Sequence, residues 1–291
     1  VNIKTDTTIL LASEAQKKGY RIYYFEPENL SFLNGKVIAS CKYIKINKNK
    51  KKFYTLIKNI NFNLEKSKVI LIRNDPPFEN RYLYTTFLLN HISKKVKIIN
   101  HPFAVRNISE KLFSINLMRY MPPTLISENL SEIKSFFKKH KAVVAKPING
   151  FSGNNVILMK TFNSSKIRKL IKNNNHLFFQ KFLPGVSKGD KRVFIIKGKI
   201  VGAISRIPKK GSILSNMSKG AKAKLTKLTR KEVNVSKVIG KLLVKNNIYF
   251  AGIDFVQGKL IGDINVTSPT GLAAYKDLSG INLAKLFWNN I

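Results

Sequence analysis

A β-hairpin signal near the C-terminus constrains the fold more than any other part of the chain. Two apolar, strand-like runs flank a tight turn at residues 257–258, and they carry Asp254, Asp263 and Asn265. Side chains two apart in a strand point to the same face, so Asp263 and Asn265 are predicted to project side by side, with Asp254 close to them on the partner strand. Hard oxygen ligands that converge on one face suit Mg²⁺, which usually binds together with nucleotide phosphates. A capped turn or a chance acidic pair is the alternative interpretation.

The net charge makes a pair of carboxylates unusual in this chain. There are 53 lysines and arginines against 15 aspartates and glutamates, giving a net charge of +38. A charge of this size is typical of nucleic-acid-binding proteins, so a basic RNA-binding protein is one candidate class. However, lysine far outnumbers arginine and the lysines are spread along the whole length, which favours a solvated basic surface. Such a field would still attract an anionic substrate such as ATP.

Length and composition are those of a globular protein of one to three domains, with 291 residues and a hydrophobic fraction of 44%. The sequence shows no signal peptide and no apolar run of the roughly 18–20 residues that cross a bilayer. Cys41 is the single cysteine and cannot form an internal disulfide, which fits a reducing, cytoplasmic setting. The chain begins at Val1 without an obvious first strand, so we expect further residues to precede it.

The first third of the chain alternates between strand and helix patterns. A short apolar run at 69–73 is of the type found in parallel sheets. The alternation predicts an α/β domain over residues 1–104 that lacks its first strand, with a boundary near 100–102. The other elements predicted in this domain are a helix at 13–19, a buried strand at 20–25, a polar loop at 45–52, a helix at 82–92 and a strand at 96–99.

The rest of the chain, residues 105–291, shows a mixture of hairpin and helix patterns. A polar stretch rich in Gly, Ser and Lys covers residues 208–224, and a loop of this length inside a compact domain is usually a lid or disordered. The other predicted elements are a helix at 107–118 capped by Ser109, strands at 143–146 and 156–159, a strand at 178–183, a hairpin over 192–207 and a helix at 230–245.

Two lysines and a glycine loop form one candidate site for phosphate. Lys146 ends a predicted strand just before the loop Gly150–Gly153, whose backbone N–H groups can approach phosphate oxygens closely. Lys111 is the second lysine of this candidate site. No Gly-Lys-Ser/Thr opens a helix here, so the loop is not a Walker A motif. An ordinary hairpin with a surface lysine is the alternative interpretation.

A strand end and the hairpin after it form another candidate site. The strand edge at 180–183 is suited to main-chain hydrogen bonds with adenine, and a carboxylate after it, Asp190, can hold ribose hydroxyls. Asp190 is one of few acids, and we expect it to pair with a neighbour such as Arg192. Guanidinium groups such as Arg192 and Arg206 stabilise a transferring phosphoryl group. A plain strand-to-loop transition with surface arginines would give the same pattern.

The turn at 265–271 supplies small hydroxyls and backbone N–H groups that can form a nest for a carboxylate. A Pro/Gly turn that only ends the hairpin is the alternative. The histidines lack metal-binding spacing, and neither a Gly-x-Ser-x-Gly motif nor a Cys–His pair of the catalytic type is present. The chemistry-bearing residues therefore favour nucleotide and metal binding over nucleophilic catalysis.

Taken together, these segments resemble the ATP-grasp fold and, more specifically, the bacterial (prokaryotic-type) glutathione synthetase family, along essentially the whole chain. The strings Asp-Pro-Pro-Phe at 75–78 and Asn-Val-Thr-Ser-Pro-Thr at 265–270 are specific to that family, whereas glycine loops and single lysines are not. The other resembling segments are Lys4 to Thr8, Arg73-Asn74, Glu110 to Phe113, Lys146-Pro147 with Gly150, Leu183-Pro184, Gly189 to Val193, Arg206 to Pro208 and Asp263-Ile264.

The resemblance implies a ligase that uses ATP and Mg²⁺ or Mn²⁺ to join γ-glutamylcysteine to glycine through an acyl phosphate, giving glutathione, ADP and phosphate. The lid at 208–224 would exclude water from that intermediate. By resemblance, ATP is bound by Lys111, Lys146, Gly150, Ser152, Gly153, Gln180, Lys181, Phe182, Leu183 and Asp190; the metal by Asp254, Asp263 and Asn265; the phosphoryl group by Arg192 and Arg206; and the substrates by Arg73, Asp75, Asn216, Ser268 and Thr270.

Three departures from the family pattern keep a second ligase class open. Asp263 stands where the family usually has Glu, Leu214 and Lys222 occupy arginine-like positions in the lid, and Leu272 to Tyr275 replaces an Arg-Glu-Ile string. An ATP-grasp ligase with another acid and amine is therefore an alternative, beside the basic RNA-binding protein. We expect small-molecule substrates and a homo-oligomer, and neither a membrane nor a specific nucleic-acid partner.

Overall fold

The computed structural model describes residues 6–47, 53–75, 77–150 and 153–291. The helices are α1 (Thr7–Lys17), α2 (Asn80–Leu89), α3 (Pro102–Asn107), α4 (Leu130–His140), α5 (Ser164–Asn174), α6 (Arg230–Lys245), α7 (Leu272–Ser279) and α8 (Leu283–Asn289). The strands are β1 (Ile22–Tyr24), β2 (Leu30–Leu33), β3 (Lys36–Ile46), β4 (Tyr54–Asn63), β5 (Val69–Leu71), β6 (Lys97–Ile99), β7 (Thr124–Ser127), β8 (Val143–Pro147), β9 (Ile157–Met159), β10 (Leu177–Lys181), β11 (Asp190–Ile196), β12 (Lys199–Ile207), β13 (Lys222–Leu225), β14 (Phe250–Val256) and β15 (Lys259–Asn265).

The first hundred residues contribute two sheets. In one sheet, β1 and β2 pair with one edge of β3 and β4 pairs with the other, all antiparallel. In the other, β5 and β6 pair in parallel, which confirms the parallel strand predicted at 69–73. The predicted buried strand at 20–25 shortens to β1 and is partly exposed, because it pairs on one edge only. The polar loop predicted at 45–52 begins later, since β3 continues to Ile46, and residues 48–52 lie outside the described ranges.

The remaining strands form two antiparallel sheets that face a common cavity. One has the order β7-β10-β8-β9, and α4 and α5 pack their apolar sides, including Ile133 and Ile167, against Phe179 of β10. The other has the order β13-β12-β11-β14-β15 and is covered by α6. A cavity of about 780 Å³ is lined by residues of both sheets, so each sheet supplies one wall of the candidate site.

Local signals explain why α6 matches its predicted range of 230–245. Thr229 accepts a hydrogen bond from the N–H of Glu232, and the Glu232 side chain accepts one from the N–H of Thr229, forming a capping box. Its buried side chains recur at helical spacing as Val235, Ile239 and Leu243. The capping box and the apolar stripe therefore predict the same helix, and both can be recognised in the sequence without tertiary information.

The hairpin of β14 and β15 contains a bulge that shapes the site. Ile253 pairs with Ile264 and Phe255 pairs with Leu260, so residues 261–263 all lie opposite Asp254. At the centre of the bulge, Gly262 has a φ of +83°, and a Cβ there would lie 2.8 Å from the Phe178 ring. Only glycine combines that backbone conformation with so little space.

Two sequence predictions in this half need correction. The helix predicted at 107–118 is wrong: α3 ends at Asn107, and a kinked 3₁₀ segment at Leu112–Tyr120 follows. The Ser109 hydroxyl accepts a 3.5 Å hydrogen bond from the N–H of Leu112 but starts no α-helix. The long loop predicted at 208–224 ends in a strand, because β13 pairs with β12. No helix in the described ranges is both long and apolar enough to span a membrane.

Candidate active site

The two predicted phosphate-binding lysines are buried and face the same carboxylate. The Lys111 and Lys146 ammonium groups lie 3.7 Å and 3.6 Å from the carboxylate of Asp263. Lys146 also donates to the carbonyl of Ile261 in the bulge at 2.9 Å and to the side-chain oxygen of Gln180 at 3.3 Å. Lys146 is 7% exposed and Lys111 5% exposed, so the surface-lysine interpretation is wrong for both.

Burial lowers the pKa of Lys146, while the nearby Asp263 carboxylate opposes the shift. Lys111 is fixed by hydrogen bonds to the carbonyl of Gly150 at 2.6 Å and to that of Ile148 at 3.3 Å. These contacts hold two cations and one carboxylate at the base of the glycine loop. An additional anion bound there would contact two ammonium groups that are already removed from water in the folded protein. Its binding would therefore require little further desolvation of these lysines.

Asp254 is held by both candidate arginines. Arg192 donates to its two carboxylate oxygens at 2.8 Å and 2.7 Å, and Arg206 lies 2.9 Å from Oδ2. Burial alone favours the neutral acid, but the two guanidinium groups outweigh it and hold the pKa of Asp254 below its ordinary value. Asp254 is therefore ionised and fixed, and it serves as the shared counter-ion of the arginines.

Asp190 pairs with Arg206, not with Arg192 as its chain position suggested. Asp190 and Arg206 are direct partners in the register of β11 and β12, whereas Arg192 is the partner of Asp254 on β14. Cross-strand partners approach more closely than residues two apart on one strand, which explains the correction. Burial raises the pKa of Asp190 to about 6, and the contact with Arg206 opposes that shift.

The cavity wall has an unusual charge composition for so basic a chain. Among the described residues that line it, cationic and anionic side chains are equal in number, six of each. Six of the 15 acids of the whole chain therefore line this one cavity. The cations are Arg73, Lys111, Lys146, Lys181, Arg192 and Arg206, and the anions are Asp6, Asp75, Glu110, Asp190, Asp254 and Asp263.

The three predicted metal ligands lie in this cavity wall. The Asn265 amide nitrogen donates to the carbonyl of Gly252 at 3.0 Å and to Asp254 Oδ2 at 3.3 Å, and its oxygen, which accepts no hydrogen bond from the described residues, can ligate. Asp263 has a quarter of its side chain exposed. Within the described ranges, no three His, Cys, Asp or Glu side chains cluster, so the donor set is two carboxylates and one amide. This oxygen set fits Mg²⁺ that shares its remaining positions with phosphates and water.

The glycine loop and the predicted lid are in contact. A Cβ on Gly153 would lie 2.7 Å from the Asn216 side-chain oxygen and 3.1 Å from Leu214, so Gly153 allows the lid to approach. Residues 213–218 line the same cavity as the two lysines. The predicted contact residue Ser152 lies outside the described residues.

The strand edge predicted to bind adenine has one main-chain donor to spare. The N–H of Lys181 donates to the carbonyl of Pro123 and the N–H of Phe182 to that of Ala142. The N–H of Leu183 makes no hydrogen bond within the described part of the chain. Gln180 is oriented by donating to Thr124 at 3.0 Å, with its oxygen turned to Lys146.

The predicted substrate residues line the same cavity, together with the start of α1. Arg73 Nε donates to the Thr8 hydroxyl at 3.1 Å, and its Nη1 has no partner among the described residues. Burial lowers the pKa of Arg73 to about 10, against the opposing charges of Asp6 and Asp75. The Ser268 hydroxyl donates to the Arg73 carbonyl at 3.4 Å, so the turn after β15 reaches this region. Asp75, Asn216 and Thr270, the other predicted substrate residues, also line the cavity.

Several polar residues in and behind the wall were given no role by sequence reasoning. Asn100 makes four side-chain hydrogen bonds, to Tyr249, twice to Phe250, and to Val266. Thr7 accepts hydrogen bonds from the N–H groups of Gly271 and Leu272. Glu110 was recognised only as part of a family-like string. All of these contacts join residues more than 140 positions apart, so no local pattern could have revealed them.

The solved structures similar to this fold include ATP-grasp ligases. The macrocyclase MdnC from Microcystis aeruginosa MRC, bound with its precursor peptide MdnA, matches 100% of this chain and 96% of its own at a TM-score of 0.65 and 12% identity. The ATP-grasp ligase PsnB, complexed with a phosphomimetic variant of its minimal precursor, Mg and ADP, matches 97% and 93% at a TM-score of 0.64 and 14% identity. The protein therefore has the ATP-grasp fold.

Sequence comparison narrows this class to one family. The family model described as the prokaryotic glutathione synthetase N-terminal domain matches residues 1–106, and the ATP-grasp domain model of the same family matches residues 110–280. Glutathione synthetase of Bradyrhizobium diazoefficiens is 36% identical over 100% of this chain and 94% of its own length. Glutathione synthetase of Escherichia coli O127:H6 is 31% identical over 93% and 87%. The chain belongs to the prokaryotic glutathione synthetase family.

Proposed function

We propose that the protein is a glutathione synthase, an ATP- and Mg²⁺-dependent ligase that joins the cysteinyl carboxylate of γ-glutamylcysteine to the amine of glycine. One observation carries the proposal: Asp263 faces two buried lysines in a cavity that is also lined by Asp254 and Asn265. That combination suits a metal–triphosphate complex, and the chain belongs to a family whose curated members are named for this product.

In the proposed reaction, the cysteinyl carboxylate oxygen attacks the γ-phosphorus of ATP and ADP leaves. The glycine amine then attacks the acyl phosphate carbon, a C–N bond forms, and phosphate leaves with that oxygen. The amine loses its proton in the second step. The protein forms no covalent bond to substrate, so its residues act by binding, orientation and charge stabilisation.

Nucleotide binding is proposed for the lysine wall and the strand edge. Lys111 and Lys146 would meet the phosphates, and Gly150 and Gly153 would let the backbone approach them. Adenine would bind at 180–183, where the free N–H of Leu183 supplies a donor. Each oxygen of Asp190 already accepts one bond from Arg206 and keeps a second acceptor position, which suits a ribose hydroxyl.

Metal binding is proposed for Asp254, Asp263 and Asn265. Bound Mg²⁺ would neutralise charge on the phosphate oxygens, and Mn²⁺ accepts the same oxygen ligands. Arg192 and Arg206 would stabilise the charge of the transferring phosphoryl group. Because Asp254 fixes both guanidinium groups before any ligand arrives, they need little reorganisation during the reaction.

Peptide binding is proposed for the part of the cavity wall that contains Arg73 and Asp75. Arg73 offers an unpaired N–H and Asp75 a carboxylate, which together suit the zwitterionic end of a γ-glutamyl peptide. Ser268, Thr270 and Asn216 would contact the same substrate. The lid segment 213–218 would shield the acyl phosphate from water.

A coupled ADP-release assay tests the function. Purified protein receives ATP, Mg²⁺, γ-glutamylcysteine and glycine, and each component is then omitted in turn. The proposal predicts sustained ADP release only with all four present, and glutathione as product. Release that does not depend on γ-glutamylcysteine would contradict it.

A second ligase activity, with another acid or amine, is favoured by one observation. The described lid residues facing the cavity, 213–218, include no charged side chain, and Leu214 stands at an arginine-like position. This uncharged segment of the lid offers no ion pair to an acceptor carboxylate. Replacing glycine by alanine, other amino acids and simple amines in the same assay separates the two functions, because the ligase with a different acceptor would prefer one of them.

We further propose a cytoplasmic location and a homo-oligomeric state. A cytoplasmic enzyme has access to ATP, and the buried Cys41 needs no oxidising compartment. Steep, salt-dependent RNA affinity without substrate-dependent ADP release would instead support the basic RNA-binding protein. Sedimentation of the purified protein would decide its oligomeric state.

A further inference from the structure

Glu110 precedes Lys111 in the chain, but its side chain holds a different part of the cavity wall. Its Oε1 accepts hydrogen bonds from the N–H of Val266 at 2.8 Å, the N–H of Thr267 at 3.0 Å and the Thr267 hydroxyl at 2.8 Å. Its backbone carbonyl accepts the N–H of Ile264 at 3.1 Å. One residue therefore holds both the end of β15 and the start of the turn that follows.

Within the described part of the chain, the N–H groups of Val266 and Thr267 have no other hydrogen-bond acceptor. β15 ends at Asn265, so the buried N–H groups of Val266 and Thr267 have no strand partner. The carbonyl of Val266 accepts a 2.7 Å hydrogen bond from Asn100. Both backbone groups of Val266 are thus fixed by side chains of the segment that joins β6 to the rest of the fold. Bonds to a carboxylate are the stronger kind, so Glu110 is the main constraint.

The fixed turn carries groups of the proposed reaction at both of its ends. At its start, the amide of Asn265 contacts Asp254 at 3.3 Å, where the metal is proposed to bind. Near its end, the hydroxyl of Thr270 accepts a 3.5 Å hydrogen bond from Arg192. A displacement of the turn would therefore move a metal ligand and a contact of the phosphoryl-stabilising arginine together.

The neighbouring lysine fixes the third part of the site. Lys111 reaches the carbonyl of Gly150 in the glycine loop and lies 3.7 Å from Asp263. The dipeptide Glu110-Lys111 therefore connects the glycine loop, β15 and the turn through adjacent residues. Because the two residues are adjacent in the backbone, their contacts fix the positions of these three parts relative to one another.

We propose that Glu110 is a positioning residue of the ligase reaction: it holds Asn265 and the turn after it in register with Lys111 and Asp263. This inference rests on the proposed function. It assigns Glu110 an effect on metal affinity and on the transition state, and little effect on adenine binding. Glutamine at this position would keep an acceptor oxygen but weaken the hydrogen bonds to Val266 and Thr267, whereas alanine would remove all three side-chain hydrogen bonds.

The test compares Glu110→Gln and Glu110→Ala with the control Glu65→Gln. Glu65 is also half-buried and accepts a backbone N–H, from Ser93 at 2.8 Å, but it lies outside the cavity. We expect Glu110→Ala to lower kcat and raise the half-saturating Mg²⁺ concentration by roughly 10- to 100-fold, with Glu110→Gln intermediate. At saturating Mg²⁺, the KM for ATP should change less than about threefold because the adenine contacts are untouched, and Glu65→Gln should match the wild type.

A merely structural role makes a different prediction. It would lower the melting temperature of Glu110→Ala while leaving kcat per folded molecule and the Mg²⁺ dependence unchanged, and that result would overturn the proposal. Circular dichroism and thermal unfolding identify how much of each variant is folded. A variant that folds and keeps wild-type kinetics is decisive against the positioning role.

Two measurements separate this inference from the proposed function. Hydrogen exchange at the amides of Val266 and Thr267 should accelerate in Glu110→Ala and stay unchanged in Glu65→Gln, whatever substrates the enzyme uses. Calorimetry should show that ADP binding becomes less sensitive to Mg²⁺ in Glu110→Ala. If wild-type protein makes no glutathione, the proposed function fails, while unchanged exchange or unchanged Mg²⁺-linked ADP binding overturns the role of Glu110.

Discussion

Arg206 of β12 and Asp190 of β11 are cross-strand partners, and their side chains meet through two hydrogen bonds, with 2.8 Å between Nε and Oδ1. Arg206 also contacts Asp254 at 2.9 Å, so both carboxylates share one guanidinium group. Acids are scarce in this chain, yet two of them hold the arginines proposed to stabilise the phosphoryl group. The arginines are therefore oriented from within the fold and not by the ligand.

The Asp190–Arg206 pair predicts how activity and stability depend on pH. Burial raises the pKa of Asp190 from 3.8 to about 6, so below that pH the carboxyl binds a proton and Arg206 loses one charged partner. We expect kcat/KM to fall as the pH drops through about 6. The folded protein binds this proton more tightly than the unfolded chain, so its contribution to stability is present below about pH 3.8 and is lost as the pH rises through about 6. As the pH rises towards about 6, kcat/KM should therefore increase while the contribution of Asp190 to stability decreases.

The pH profile of Asp190→Asn identifies the group responsible. The residual kcat/KM of this variant should not fall as the pH drops through about 6, whereas that of the surface variant Asp277→Asn should still fall. If kcat/KM of Asp190→Asn falls at the same pH as that of the wild type, another group is responsible.

Asp263→Asn should remove most turnover while the fold stays intact. The substitution replaces a carboxylate that faces two lysines and is proposed to bind Mg²⁺, so we expect kcat to fall by roughly 100-fold or more. The measurement is ADP release over a range of Mg²⁺ concentrations, with Asp277→Asn as the matched control. Turnover of Asp263→Asn equal to that of the control would rule out the metal assignment.

Lys146→Ala should weaken nucleotide binding. Removing a buried ammonium group that would pair with phosphate costs about 1.5–3 kcal/mol, or at least roughly tenfold in the Kd for ATP. Calorimetric titration with ATP and Mg²⁺ measures this directly. Lys160→Ala, an exposed lysine after β9, serves as the control and should bind like the wild type. Equal affinities of the two variants would exclude a phosphate contact for Lys146.

Gly262→Ala should destabilise the protein more than Gly258→Ala in the same hairpin. Both glycines have positive φ, which costs an alanine about 1–2 kcal/mol, but only the Gly262 Cβ would collide with the Phe178 ring. We expect a further loss of about 1–3 kcal/mol at Gly262, because that part of the core is closely packed. Denaturant unfolding of both variants gives the difference, and equal losses would mean that the bulge has room to adapt.

Elements with strong local signals could be predicted from the sequence. The capping box and apolar stripe define α6, and the turn at 257–258 defines the hairpin that brings Asp254, Asp263 and Asn265 into one wall. The sequence predicts a helix at 107–118, whereas the structure has a 3₁₀ segment at Leu112–Tyr120. Just before this segment, Glu110 and Lys111 make hydrogen bonds to the turn after β15 and to the glycine loop, and local propensity contains no information on such tertiary contacts.

Partnerships within the site were harder to predict than its members. The sequence favoured Arg192 as the partner of Asp190 because the two residues lie close in the chain. Strand register instead pairs Asp190 with Arg206 and Arg192 with Asp254, and register is fixed by the whole sheet. The role of Glu110 was invisible for the same reason, since its hydrogen-bond partners lie 156 and 157 residues away.

Isotope transfer from the acid substrate tests the ligase mechanism most directly. γ-Glutamylcysteine labelled with ¹⁸O in its cysteinyl carboxylate is incubated with the enzyme, ATP, Mg²⁺ and glycine, and the phosphate released is analysed by mass spectrometry. An acyl phosphate predicts one ¹⁸O atom in each phosphate released, with one molecule of glutathione formed per ADP. Unlabelled phosphate, or ADP release without glutathione, would contradict the mechanism.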